Sequence, residues 1–110
     1  MVDDSRAMRA ILIAGRGGSE KMHEAVVPRP IAVHSEVLIR VLASSVNPVD
    51  VKTRAGGGYA AAITDYPIIL GHDFCGEVVQ APYEKHRLAP GTRVYGVTVP
   101  PRLQGSHAEY

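Results

Sequence analysis

The sequence predicts a mainly β protein, a partly open β-barrel with one or more short helices. Three observations carry that reading. Eleven glycines and eight prolines in 110 residues exceed the usual share and punctuate the chain closely. The apolar stretches between them are short and rich in Val and Ile, as strands are. Only one stretch has the start and stop signals of a helix. The length allows one domain with one modest core, and residues 1–7 read as a loose polar tail ahead of a domain spanning 8–110.

The elements follow in order. Arg9 to Ala14 reads as a first strand, stopped by Gly15-Arg16-Gly17-Gly18. His23 to Val27 reads as a second, broken by Pro28 and Pro30. Glu36 to Ala43 is the strongest strand signal. Val37, Ile39, Val41 and Ala43 alternate onto one face, and Leu38 and Leu42 occupy the other, which predicts burial on most of both faces. Asn47-Pro48 turns the chain into a short helix over 49–54, with the proline in its first turn, and Ala55-Gly56-Gly57-Gly58 ends it. Ile68 to Gln80 reads as extended, interrupted by Gly71 and Gly76, and Thr92 to Val99 as a last strand between Pro90-Gly91 and Pro100-Pro101.

Twelve basic against eleven acidic residues leave a net charge of +1. No run of like charge marks a nucleic-acid or anionic-membrane binder. No apolar run approaches the roughly 18 residues of a membrane span. A polar, acidic start and a single cysteine, Cys75, point to the cytoplasm.

Four constellations offer chemistry. The turn at Gly15–Gly18 follows a strand, as a phosphate loop would, but the third glycine of G-x-G-x-x-G is replaced by Glu20. Pro28 and Pro30 leave no room for the long helix that should follow, so the turn reads as a hairpin. Five scattered histidines form no H-E-x-x-H, and one cysteine does not supply a closed zinc site; Cys75 reads as a small core residue. His72, Asp73 and Cys75 lie on one extended segment, which is not how a nucleophile and its base are assembled. The turn from Asn47 to Lys52 brings an amide and an ammonium, and Tyr59 and Tyr66 downstream bring hydroxyls that can donate a proton or hold an oxyanion. On spacing alone it reads as a helix-capping turn with a solvated lysine.

The segments also follow a known order. Met8-Arg9-Ala10, Glu36 to Val41, Ser45 to Gly56, Tyr66 to Val79, Pro90 to Gly96 and Gly105 to Tyr110 together resemble the N-terminal GroES-like domain of the medium-chain dehydrogenases/reductases. The resemblance is strongest to the zinc-free branch of quinone oxidoreductases and enoyl reductases, and it covers about Met8 to Tyr110. It implies an NADPH-dependent reduction of an activated C=C bond or a quinone. Asn47, Pro48, Val49 and Asp50 would lie beside the cofactor, and Lys52 and Tyr59 would be catalytic. Zinc members place a cysteine ligand where Asn47 stands and a histidine before a glutamate. Here His72 precedes Asp73, so no metal is expected and His72 is read as a packing residue. The family's nucleotide-binding domain follows the segment where this chain stops. The resemblance therefore implies a barrel incomplete at its C-terminus, and a chain inactive by itself. The expected partners are a small-molecule substrate and, for a full-length member, a second copy or a polyketide synthase; neither nucleic acid nor membrane is expected. The alternatives are a non-catalytic binding module of the same fold, or part of a zinc-dependent alcohol dehydrogenase.

Overall fold

The computed structural model describes residues 6–98 and 105–110. The strands form two three-stranded antiparallel sheets. The first has the order β2-β1-β4, with β1 at Ala7–Ile13, β2 at Met22–Pro28 and β4 at Ile68–Ile69. The second has the order β3-β5-β6, with β3 at Leu38–Ser44, β5 at Asp73–Gln80 and β6 at Arg93–Val97. One α-helix, α1 at Pro48–Ala55, lies between β3 and β4 in sequence. The architecture is mainly β, with sheets that do not close. No helix among the described residues is long and apolar enough to cross a membrane.

β1 and β2 form a hairpin in register from Ala7↔Pro28 to Ile13↔Met22, around the Gly15–Gly18 turn. Order begins ahead of residue 8: the Arg6 carbonyl accepts from Arg29 N–H at 2.8 Å, and Ala7 opens β1. Met8, Ala10 and Ile13 of β1 are buried, as are Ile63, Leu70 and Val78. The last segment stitches the two sheets together. Ile11 N–H donates to the His107 carbonyl at 3.0 Å, and Glu109 N–H to Arg9 at 3.1 Å. On its other side the Glu109 carbonyl accepts from Val41 N–H at 2.7 Å.

Two expectations are corrected. β3 is not buried on both faces; none of its residues is fully buried. The cause is a bulge. Val41 pairs with Gly76 but Ala43 pairs with Cys75, so Leu42 has no partner and the alternation is reset. Ile39 and Val41 then line an open apolar groove of about 280 Å³ with Phe74 and Tyr110, while Ala43 faces outward. Cys75 shares that outer face and is exposed, not a core residue. The extended stretch 68–80 is interrupted at Gly71, as expected. Gly71 takes φ +104°, and the chain leaves β4 after two residues to re-enter as β5. The end of the expected last strand, at Val99, lies outside the described residues.

Candidate functional site

Asn47 is the N-cap of α1, in extended conformation, and Pro48 is its first residue. The missing N–H of proline costs nothing there. Asp50, one turn in, reaches back: its Oδ2 accepts the Asn47 backbone N–H at 2.8 Å. Its Oδ1 accepts the Gly71 N–H at 3.3 Å and stands 3.8 Å from His72 Nε2. Asp50 is only 3% exposed, so this carboxylate ties the helix start to the Gly71–Asp73 segment.

The Asn47 side chain points the other way. Its Nδ2 donates to Asp73 Oδ2 at 2.7 Å and to Ser45 Oγ at 3.2 Å. Ser45 Oγ donates to the same Asp73 oxygen at 2.9 Å. First the Asn47 amide and then the Ser45 hydroxyl hold the Asp73 carboxyl below its ordinary range. Partial burial opposes them, and His72 adds a smaller pull downward. His107 Nε2 lies 3.0 Å from the Ser45 carbonyl, and Ser44 Oγ lies 2.7 Å from the buried Ser106 Oγ.

Tyr59 arrives from the far end of α1. Thr53, buried in the helix, donates its hydroxyl to the Val49 carbonyl at 2.7 Å and accepts the Tyr59 N–H at 3.1 Å. Gly58, at φ +49°, makes the turn between them, and a Cβ there would stand 2.5 Å from Thr53 Oγ1. The Tyr59 ring then lies 5.3 Å from the His72 ring, tilted by 56°. His72 Nδ1 is 3.3 Å from the Thr98 carbonyl.

The fold thus brings Asn47, Pro48, Asp50 and Tyr59 together around His72 and Asp73. Val49 is half-buried on the same helix turn. Lys52 is exposed, and its ammonium meets no acceptor among the described residues. Tyr66 is half-buried with no contact to the cluster. Sequence reasoning did not place His72 and Asp73 at the start of α1. The available signal was their place directly after Gly71, which takes a positive φ. Among the described residues no three His, Cys, Asp or Glu side chains stand close enough to share a metal ion. The donor set is instead amide, hydroxyl, imidazole and carboxylate. Such a set offers hydrogen-bond donors and acceptors rather than a metal-ligand cage.

Comparison with known proteins shows the family. Residues 33–109 match the alcohol dehydrogenase GroES-like domain. The chain is 36% identical over 109 residues to the NAD(P)H oxidoreductase RTN4IP1, mitochondrial, of Dictyostelium discoideum, covering 94% of this chain and 30% of that protein. It superposes on the quinone oxidoreductase of Coxiella burnetii with a TM-score of 0.87 at 32% identity, covering 94% of this chain and 33% of that one. A crotonyl-CoA carboxylase/reductase in complex with NADP matches with a TM-score of 0.66 at 28% identity, over 82% of this chain and 24% of that one. The chain therefore spans about a third of the relatives it matches. Motif order, fold and these likenesses agree: the protein belongs to the alcohol dehydrogenase GroES-like domain family of the medium-chain dehydrogenases/reductases.

Proposed function

We propose that this chain is the substrate-side part of a zinc-independent, NADPH-dependent oxidoreductase that reduces an activated C=C bond or a quinone. The observation that carries the reading is the pairing of Asn47 with Asp73 at the start of α1. An amide occupies the place of a metal-binding thiolate, and it is held there by a carboxylate rather than presented to an ion. The NADP held by the crotonyl-CoA carboxylase/reductase neighbour supports NADPH as the cofactor.

The cofactor supplies the hydride. Asn47, Pro48 and Val49 would hold the nicotinamide end of that cofactor, and Asp50 fixes their turn by accepting two backbone N–H groups. Hydride addition to an enone or quinone builds negative charge on oxygen. Tyr59, at 41% exposure, keeps its hydroxyl accessible to give a proton to that charge. His72 supports the Tyr59 ring from beneath. Lys52 adds a solvent-accessible positive charge on the same helix, attracting an anionic substrate. An exposed thiol at Cys75 suits a reducing compartment, such as the cytoplasm.

The test joins this chain to the nucleotide-binding part of a relative and follows NADPH oxidation with a quinone and an enone. Tyr59→Phe should lower kcat by about ten- to a hundred-fold, in the range of a lost general acid. Metal analysis should find no stoichiometric zinc. Full activity in the Tyr59→Phe protein, or one zinc per chain, would sink the reading.

A further inference from the structure

β6 is an edge of the second sheet, with β5 on its inner side. Thr98 N–H donates to the His72 carbonyl at 2.6 Å, and Val78 N–H to the Thr92 carbonyl at 2.9 Å. Antiparallel ladders alternate, so the even-numbered residues of β6 bond to β5. Arg93, Tyr95 and Val97 therefore turn their backbone N–H and C=O groups outward, where no hydrogen bond meets them among the described residues. Their side chains share one face and are exposed. That face also carries their neighbours on β5, which are Glu77, Cys75 and Asp73.

A free strand edge templates further pairing, and proteins blunt such edges with proline or charge. The other long edge of the molecule is blunted. Ala14 N–H donates to the Lys21 carbonyl, and Arg29 N–H to that of Arg6. The outward groups of β2 therefore belong to Met22, Glu24, Val26 and Pro28. Pro28 has no N–H to offer, and Glu24 sets a carboxylate on that edge. β3 gives its Val41 N–H to the Glu109 carbonyl. β6 carries neither a proline nor an acid. Its one charge, Arg93, stands at the start of the strand.

We propose that β6 is a dimer interface, pairing antiparallel with β6 of a second copy about a two-fold axis at Tyr95. Only this register pairs all three outward residues within both strands, Arg93 with Val97 and Tyr95 with its own copy. It forms about six hydrogen bonds, two for each facing pair. Tyr95 meets Tyr95 of the partner subunit as an aromatic cross-strand pair. The two Arg93 residues stay about 13 Å apart along the strands, which avoids repulsion. The charges also complement. The partner's Arg93 faces Val97, whose neighbour on β5 is Asp73. That places it about 10 Å away, two strand spacings, within reach of a long side chain. The second copy thus brings a positive charge toward the carboxylate that holds Asn47. The interface is independent of the hydride reading.

Sedimentation equilibrium of the 110-residue chain should fit a monomer–dimer equilibrium without larger species, because a two-fold edge contact closes on itself. Tyr95→Pro removes the central outward N–H and leaves the bonds to β5 intact. It should be monomeric, with the amide shifts of β1 and α1 unchanged. Should that variant not fold, Arg93→Glu tests the same register. Repulsion from Asp73, met twice in the symmetric pair, should weaken association roughly five- to thirty-fold at low salt. Cys75, the single thiol, reports the geometry without any substitution. It pairs with Tyr95 across β5 and β6. Spin labels on two copies should therefore lie across three strand spacings, with about 14 Å between their Cα atoms, and broaden each other's spectra. A monomer at every concentration, open-ended assemblies, a dimer that both variants leave unchanged, or labels too far apart to broaden would each overturn the proposal.

Discussion

Thr53 shows how one side chain sets the geometry of the site. Its hydroxyl is buried and makes two bonds, one along the helix and one to Tyr59 N–H. Thr53→Val keeps the shape and removes both. The lost bonds and the orphaned N–H should cost about 1–2 kcal/mol. That lowers the midpoint of thermal unfolding by roughly 4–15 °C, and it should speed amide exchange at Tyr59 more than at β1. Asp73 makes a pH prediction. Its pKa is depressed in the folded state by Asn47 and Ser45. Its contribution is therefore present above the ordinary carboxylate range and is lost as pH falls through the lower, folded value. Thermal midpoints measured downward from pH 5 should fall more steeply in the natural protein than in Asn47→Ala, where the main cause of the depression is gone. Parallel curves would contradict the network. Asn47 and Tyr59 were legible as candidates because their residue types carry chemistry. That Asp73 and His72 would be their partners was not legible, because hydrogen bonds across 26 residues of chain depend on the fold.

At the scale of the element, β3 separates pattern from packing. Its alternation of Val, Ile and Leu was read as a strand buried on both faces, and the strand is there. The bulge at Leu42 decides which residues face inward, and nothing in the local sequence marks it. Leu42 is 41% exposed, whereas Val78 on β5 is fully buried. Leu42→Ser should therefore change stability by less than about 0.5 kcal/mol, and Val78→Ala should cost about 2 kcal/mol. Urea unfolding of the two variants checks the ranking, and a larger loss in Leu42→Ser would mean the bulge is misplaced. Gly76 opposes Val41 next to that bulge, and any Cβ would collide with the Arg40 carbonyl. Gly76→Ala should unpair β3 from β5, seen as lost protection of their amides. The hairpin of β1 and β2 and the start of α1 were readable to within a residue or two, since turn glycines, an N-terminal proline and a capping Asn act locally.

The whole molecule is two small sheets sewn together by residues 105–110, with apolar surface still uncovered. Tyr95 is 89% exposed and Val97 64% exposed, both on the outer strand of the second sheet. Such an edge invites association. Tyr95→Lys should reduce light scattering of concentrated solutions without lowering the unfolding midpoint; no change in scattering would place the association elsewhere. By itself the sequence determined the order of the elements, the family, and the residue types gathered around the start of α1. Those follow from periodicity, turn chemistry and motif order, which are properties of neighbours along the chain. Only the tertiary structure decided that Asp50 is a buried tie between α1 and Gly71, that His72 lies under Tyr59, and that Cys75 faces solvent. Each of those joins residues distant in sequence, and their meeting is set by sheet register, a bulge and the positive φ of Gly71 rather than by any local preference.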